Sequence, residues 1–516
     1  MHISEPVANT HTTLEPNAHR TRVHARDVIW FCVFLLSGSL LVLYPFFALC
    51  CAGAVVALGC CWLAIVYGRR AGLELWQVIL LTALSGYMLL GYGFENLAVH
   101  VGGVPIILSY GLVYVAWGLA VFSCQHFVRD ALKEPAMLCL SALLLLALPH
   151  LVFDIPRYGI WAFRDASMVF DGIFLLLGLL WAIRSNSTIP LMKWLMVFFV
   201  LNLIYSYTFP WSEEIKAWSP HSGVFLPVPI LGNYTSNISC LLAGALFCIF
   251  VGSYVVKWPR WILLLLACLQ IFGLAIVQAR SMYVGLVLIL VILVLLGEAR
   301  KVAELLFGLS SAVAILLFLT MVLGVEIQGR VGPTNLAFLK QHMLSLAGKE
   351  DEPGKAGATL DGRIDWYDQV FRRIRRNPVL GEGFGQPLID FDNGVGDPAR
   401  QPHNSSLSVL ARLGGVGFAL WVIFHLCVVT RCFHAFRRWR DRDRQLTDLI
   451  MWLFLYYLII MVEASTQPAL EFPSGSIPFF FFTGLVLGLM RRQTPQRNKL
   501  NPQGSAVVPA LAISRP

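Results

Sequence analysis

Residues 259–297 read PRWILLLLACLQIFGLAIVQARSMYVGLVLILVILVLLG, and this stretch decides the fold. Two apolar runs, 259–278 and 282–297, meet at Gln278-Ala279-Arg280-Ser281. Each approaches the ~20 residues that a helix needs to cross a ~30 Å hydrocarbon core. Lipid offers the backbone no hydrogen-bond partners, so such a run reads as a transmembrane α-helix. Working outward, runs of the same kind lie at 28–44, 48–67, 76–94, 104–122, 136–153, 168–183, 190–208, 236–256, 303–325, 406–430, 448–464 and 475–490. The first two are separated only by Tyr44-Pro45. The chain is 57% hydrophobic and 13% charged, with a mean hydropathy of +0.69, which excludes a soluble globular domain. The expected fold is all-α: a polytopic membrane protein of about 12–14 transmembrane helices with one large loop.

The ends of the chain differ from its middle. Residues 1–27 are polar and rich in His, Thr and Arg. They lack a small-residue cleavage signature and read as a disordered cytoplasmic lead. Residues 491–516 read as a cytoplasmic tail, with no periodicity beyond Gln493. Helices 1–11 occupy 28–325, the large loop 326–405, and helices 12–14 residues 406–490.

The formal net charge of +9 does not point to nucleic acid, because the cations flank the spans. With the N-terminus inside, the inner loops hold Arg69-Arg70, Arg129, Lys133, Arg184, Lys257, Arg260 and Arg300-Lys301. The cluster Arg431 to Arg444 and the tail arginines Arg491-Arg492 fall inside as well. Both termini are therefore expected in the cytoplasm and the 326–405 loop outside, away from ATP and nucleotide sugars. The 12 cysteines lie mostly in apolar runs and form no CxxC pair, so neither a disulfide framework nor a metal site is expected.

Polar chemistry concentrates in Asp361 to Gly415, DGRIDWYDQVFRRIRRNPVLGEGFGQPLIDFDNGVGDPARQPHNSSLSVLARLGG. Residues 363–376 predict an amphipathic helix. Ile364, Tyr367, Val370/Phe371 and Ile374 share one face, Arg372, Arg373, Arg375 and Arg376 lie largely on the other, and Asp361 is the expected N-cap. Such a helix lies at a membrane interface or presents a solvated charged face while packing on the other helices. Gly381-Glu382-Gly383-Phe384-Gly385 lacks the strand–turn–helix context of a dinucleotide site and reads as a tight loop.

Two residues stand out as candidates for chemistry. His403 sits between Pro402 and Asn404, directly before the helix start Ser405-Ser406, where a neutral imidazole can take a proton from a hydroxyl. Arg280 lies between two apolar runs, where serine or asparagine would serve a plain turn, and its guanidinium suits a phosphate clamp. Arg157 and Arg164, accompanied by Asp154 and Asp165, read as paired structural charges.

Taken together, Arg280, the Arg363-to-Trp366 helix segment, Asn377-Pro378-Val379-Leu380-Gly381-Glu382-Gly383, and His403-Asn404 followed by Leu407 and Gly414-Gly415 resemble the O-antigen ligase/polymerase superfamily, which includes protein O-oligosaccharyltransferases. The resemblance covers about 200–430; the first 200 residues match only as generic spans. It implies a bacterial inner-membrane glycosyltransferase that needs neither metal nor cofactor. The donor would be a glycan on undecaprenyl diphosphate. The acceptor hydroxyl would belong to lipid A-core, another glycan or a protein side chain. His403 would be the base or acceptor anchor, and Arg280 would bind the diphosphate; Arg363 and Asn404 would complete the substrate site. The family usually has a second arginine in the outer loop before 236–256. Here that loop, WSEEIKAWSPHSGVFLPVPILGNYTSN, has none, leaving Lys216, Arg363 or another loop arginine to substitute, or a weaker diphosphate site. The competing classes are a polysaccharide exporter or transporter and a catalytically inactive family member. Asp171 and Glu463 are the main acidic residues near span ends, too few to indicate an ion-coupled path.

Overall fold

The computed structural model describes residues 72–101, 104–185, 187–223, 227–234, 237–324, 357–390, 400–440 and 442–492, with 327, 329 and 332. The expected spans at 28–44 and 48–67, the lead at 1–27 and the tail beyond Arg492 lie outside the described residues. Fourteen helices carry the architecture: α1 Leu75–Leu90, α2 Leu108–Ser123, α3 Gln125–Leu132, α4 Pro135–Tyr158, α5 Ser167–Arg184, α6 Ile189–Ser206, α7 Asn237–Phe250, α8 Arg260–Val277, α9 Arg280–Leu295, α10 Ala299–Leu317, α11 Gly357–Arg376, α12 Ser405–Trp439, α13 Arg444–Ala464 and α14 Pro473–Arg492. Two short antiparallel pairs, Ala98–Val101 with Val104–Ile107 and His221–Ser222 with Val228–Pro229, supply the strands among the described residues.

The chain is an all-α polytopic membrane protein. Eight of the described helices are long and apolar enough to cross a membrane alone, and nine if α2 and α3, bent by 102°, form one span. The apolar helices α1, α7 and α9 are shorter. Every expected span from 76 onward coincides with one of these helices, because an apolar run in lipid has no cheaper backbone solution than a helix.

Helix α14 is the centre of the bundle, with 89% of its apolar window buried, against 22% for the peripheral α10. It meets α5 at very close range. A Cβ on Gly178 would fall 2.0 Å from the Phe481 carbonyl oxygen, and one on Gly484 1.9 Å from that of Leu175. Small residues let the two backbones touch, which is how helices associate where lipid is as apolar as leucine.

The part of the fold that builds the site is a break in α12. Gly414 has φ 62° and ψ −165°, so the helical ladder stops there and resumes one residue later. A break frees carbonyls above it and amides below it, and both must be satisfied. The 378–383 turn satisfies them. The Glu382 and Gly383 amides donate to the carbonyls of Ala411 and Arg412 at 2.9 and 3.0 Å, while those of Gly415 and Val416 donate to Pro378 and Val379 at 2.8 and 3.2 Å. Only glycine fits the crossing: a Cβ on Gly414 would lie 2.3 Å from the Val379 carbonyl, and one on Gly381 2.3 Å from that of Arg412. The segment 405–413 is thereby a separate half-helix locked to the loop.

Helix α11 packs on that half-helix. Val370 is buried with Leu388, Ile389 and Ala411, and Trp366, Ile374 and Leu407 pack around them. The helix begins at Gly357, so Asp361 lies inside it and is not its cap. The amphipathic division also differs from the expectation. Arg373 sits on the packed side, paired with Glu382 at 3.1 Å and with Asp390 at 3.8 Å, while Ile364 and Phe371 are exposed.

Candidate functional site

Asn404 is the N-cap of α12, its Oδ1 accepting the Leu407 amide at 3.0 Å. The carbonyl of its side chain is thus committed to the helix start. Immediately before it, His403 adopts φ 52°, the left-handed region. For an L-residue this conformation costs on the order of 1–2 kcal/mol, so the surroundings must hold it. One holding contact is Trp366, whose ring stacks on the imidazole with centroids 5.1 Å apart and planes at 21°. One helical turn earlier stands Arg363, whose Nη2 donates to the Thr466 carbonyl at 3.2 Å. Among the described residues, buried His403 Nδ1 and Arg363 Nε have no hydrogen-bond partner.

Burial chiefly, and the Arg363 guanidinium next, hold the His403 pKa below its ordinary value, with the nearby Gln401 backbone opposing them. The imidazole is therefore neutral at neutral pH, the form a general base requires.

Beneath His403 the half-helix 405–413 is anchored by a buried polar network. Arg412 forms an ion pair with Asp165 at 2.9 Å and reaches the carbonyls of Gly383 and Gln386 at 3.3 and 3.4 Å. Arg400 bonds the same Asp165 oxygen at 3.3 Å and the Gly385 carbonyl at 2.5 Å, and covers the Trp161 ring at 4.4 Å. The Gly385 and Phe384 amides donate to Asp165 and Asp154 at 3.0 and 2.7 Å. On the other side, Ser408 donates to Glu471 at 2.8 Å, and Ser405 accepts the Leu470 amide at 3.4 Å. Burial pushes the Glu471 carboxyl up to about 7, with Arg412 opposing.

The acids of the 154–165 segment were expected to pair with the neighbouring Arg157 and Arg164, but the partners the structure gives them are distant in sequence. Asp154 and Asp165 bind the loop, while Arg164 lies over Trp161 and Phe472 at 5.0 and 5.8 Å. Arg412, Arg400 and Glu471 were not singled out from the sequence. For Arg412 a signal existed, a cation within the apolar run 406–430. For Arg400 and Glu471 there was none.

Arg280 is the first residue of α9 and is partly buried, with no hydrogen bond or ion pair among the described residues. A Cβ on Gly285, further along α9, would lie 3.9 Å from Val462 of α13, and Val462 lies one turn before Thr466, the acceptor of Arg363. Arg280 thus stands at the same end of the bundle as His403. Lys216, in the short helix Ser212–Trp218, is partly exposed and pairs with Glu213 at 2.8 Å. The structure brings His403, Arg363 and Asn404 together and gives neither Arg280 nor Lys216 a contact with them among the described residues. Nor are three His, Cys, Asp or Glu side chains grouped to hold a metal ion among those residues.

The O-antigen ligase family model matches residues 261–422. That interval takes in Arg280, α11, the 378–383 turn, His403, Asn404 and the break at Gly414; Lys216, Asp165 and Glu471 fall outside it. No curated protein matches the chain.

Proposed function

From the premise that this chain carries an O-antigen ligase domain over residues 261–422, we propose that it transfers a glycan from a lipid diphosphate carrier to an acceptor hydroxyl at the loop end of the bundle, with His403 as general base. The observation that supports this most is the neutral, partly buried imidazole stacked on Trp366, its Nδ1 without a described partner and a guanidinium beside it. The carrier is an undecaprenyl diphosphate in the inner membrane, the loop faces the periplasm, and the acceptor is lipid A-core, another glycan or a protein hydroxyl.

In this reading the acceptor oxygen attacks the anomeric carbon as its proton passes to the imidazole, and the glycosyl–phosphate bond breaks toward the diphosphate. Negative charge builds on the leaving phosphate. Fixed guanidinium groups in a water-poor site stabilise such charge without reorganising; Arg280 and Arg363 are the candidates at this end. The activated glycosyl bond supplies the driving force, so no nucleotide is needed. Attack from the face opposite the leaving group gives inversion at the anomeric carbon. Retention in the product would exclude a single direct displacement.

General bases contribute on the order of 10²–10⁴ in rate. His403→Ala is expected to lower transfer by about that factor while the protein still inserts in the membrane, with carrier-linked glycan accumulating in cells. Normal product from a variant present at normal levels would remove His403 from this role.

A further inference from the structure

The C-terminal end of α11 exposes an apolar turn where a solvated loop would carry polar residues. Val379 is 61% and Leu380 54% exposed, and Asn377-Pro378 separates them from Arg375 and Arg376, which are also exposed. The turn is not free to lie elsewhere. Its Val379 carbonyl accepts the Val416 amide, and Pro378 accepts that of Gly415, so it is fastened to α12 just below the helix break. From Val416 onward α12 presents a lipid-type face, with Val416, Val422, Ile423 and Leu426 exposed. The apolar surface of the turn is therefore continuous with the apolar flank of a membrane-spanning helix. Further along α11, Phe371 and Ile364 continue an exposed apolar edge. Apolar side chains bordered by arginines form the pattern of an element lying in the bilayer interface.

We propose that Val379 and Leu380 enter the bilayer leaflet on the loop's side and that Arg375 and Arg376 hold lipid headgroup phosphates, mooring α11 to the membrane surface. The occupant is phospholipid. Charge complementarity favours anionic headgroups, and the unbroken apolar surface shared with α12 favours acyl chains. The proposal requires that α12 spans a bilayer and does not rest on the glycosyltransferase reading. The mooring ties down the helix that carries Trp366 and Arg363, while the 378–383 turn ties down the half-helix that follows His403.

The test uses the full-length protein in nanodiscs. Benzoylphenylalanine at 380, an apolar replacement, is expected to crosslink to phospholipid on illumination, whereas at Asp365, exposed three turns before Arg376 and away from the apolar turn, labelling is expected to be much weaker. Equal labelling at the two positions, or none at 380, overturns the proposal. So does capture of a glycan-bearing carrier or a protein in native membranes, since either would be a different occupant. A second measurement is tryptic cleavage after Arg375 and Arg376, expected to be about 30-fold slower in phosphatidylglycerol than in phosphatidylcholine nanodiscs for two arginines at headgroups. Leu380→Asp should erase that difference. A wild-type cleavage rate indifferent to the lipid overturns the proposal, whatever the variant does.

Discussion

Ionic clusters occur at both ends of the bundle, and they are built differently. At the end away from the loop, Glu298 receives both terminal nitrogens of Arg444 at 3.1 and 2.6 Å, with Arg440 at 3.7 Å. Asp448 is met by Arg444 at 3.3 Å, Lys301 at 3.8 Å and the Tyr254 hydroxyl at 2.8 Å. Glu304 pairs with Arg260 and Arg300. The acids are enclosed, but the arginine side chains reach solvent: those of Arg440 and Arg444 are 40% and 44% exposed. At the loop end the Asp165 side chain is fully buried, with Arg400 and Arg412 at 6% and 4% exposed. There two guanidinium groups share one carboxylate, and Arg400 Nε and Arg412 Nε find no partner among the described residues. The first cluster fastens helix ends where water can compensate a missing charge. The second is enclosed, and it holds the loop and the half-helix on either side of His403.

The largest expected contrast comes from truncating the acid in each cluster. Asp165→Ala strands two buried guanidinium groups, a change that costs about 3–5 kcal/mol. Glu298→Ala leaves two arginines that swing into solvent, for about 1 kcal/mol or less. Thermal unfolding of both variants in the same detergent measures the difference. Equal losses would show that the two clusters do the same job.

A glycine pair sharpens the same contrast at the backbone. Gly414→Ala must either hold φ near 62° with a Cβ 2.3 Å from the Val379 carbonyl or release the turn, a loss of about 2–3 kcal/mol. Gly118, inside α2, has nothing within 4 Å of its notional Cβ, and Gly118→Ala should stabilise by about 0.5–1 kcal/mol through helix propensity. A tolerated Gly414→Ala with transfer intact would mean the break does not matter for the site.

What could be read from the sequence divides along the same line. The spans from 76 onward were legible because lipid accepts so few backbone solutions that composition alone points to helix. The amphipathic helix was legible in position and only half legible in orientation, since Arg373 turns inward to acids at 382 and 390 that no helical period reveals. The break at Gly414 was hidden inside an apolar run, because hydropathy is blind to a glycine that changes φ. The Arg400–Asp165 pair joins residues 235 apart, a proximity set by tertiary packing and carried by no local pattern. His403 was singled out by its flanking residues and its motif, whereas its left-handed backbone and its seat on Trp366 belong to tertiary structure.

Among the cations at the loop end, Arg280 and Lys216 should separate by about an order of magnitude. Arg280→Lys exchanges a bidentate fork for a point charge and is expected to lower transfer about tenfold if the guanidinium grips a diphosphate. Lys216 is partly exposed and already paired with Glu213, so Lys216→Ala should change transfer by less than about twofold. Glycan product measured at matched protein levels compares them. Full activity of Arg280→Lys would leave it a structural residue.

The smallest expected effect is a displacement along the pH axis, and it is the one that reports on His403 directly. The fold favours the neutral imidazole, because burial and then Arg363 disfavour its charged form. Between the folded pKa and the ordinary value of 6.5 the unfolded chain binds the extra proton. The stability contribution of neutral His403 is therefore complete above 6.5 and is lost as pH falls through the folded pKa. If His403 is the base, the acid limb of the pH–rate profile lies below 6.5 for the same reason. Arg363→Gln removes the nearby positive charge and leaves burial, the larger cause, in place. The limb should then move to higher pH while staying below 6.5. Glu298→Gln, in the far cluster, should leave it where it was. A limb that stays fixed in Arg363→Gln, or moves to lower pH, would mean that the group titrating in the rate is not the imidazole beside Arg363.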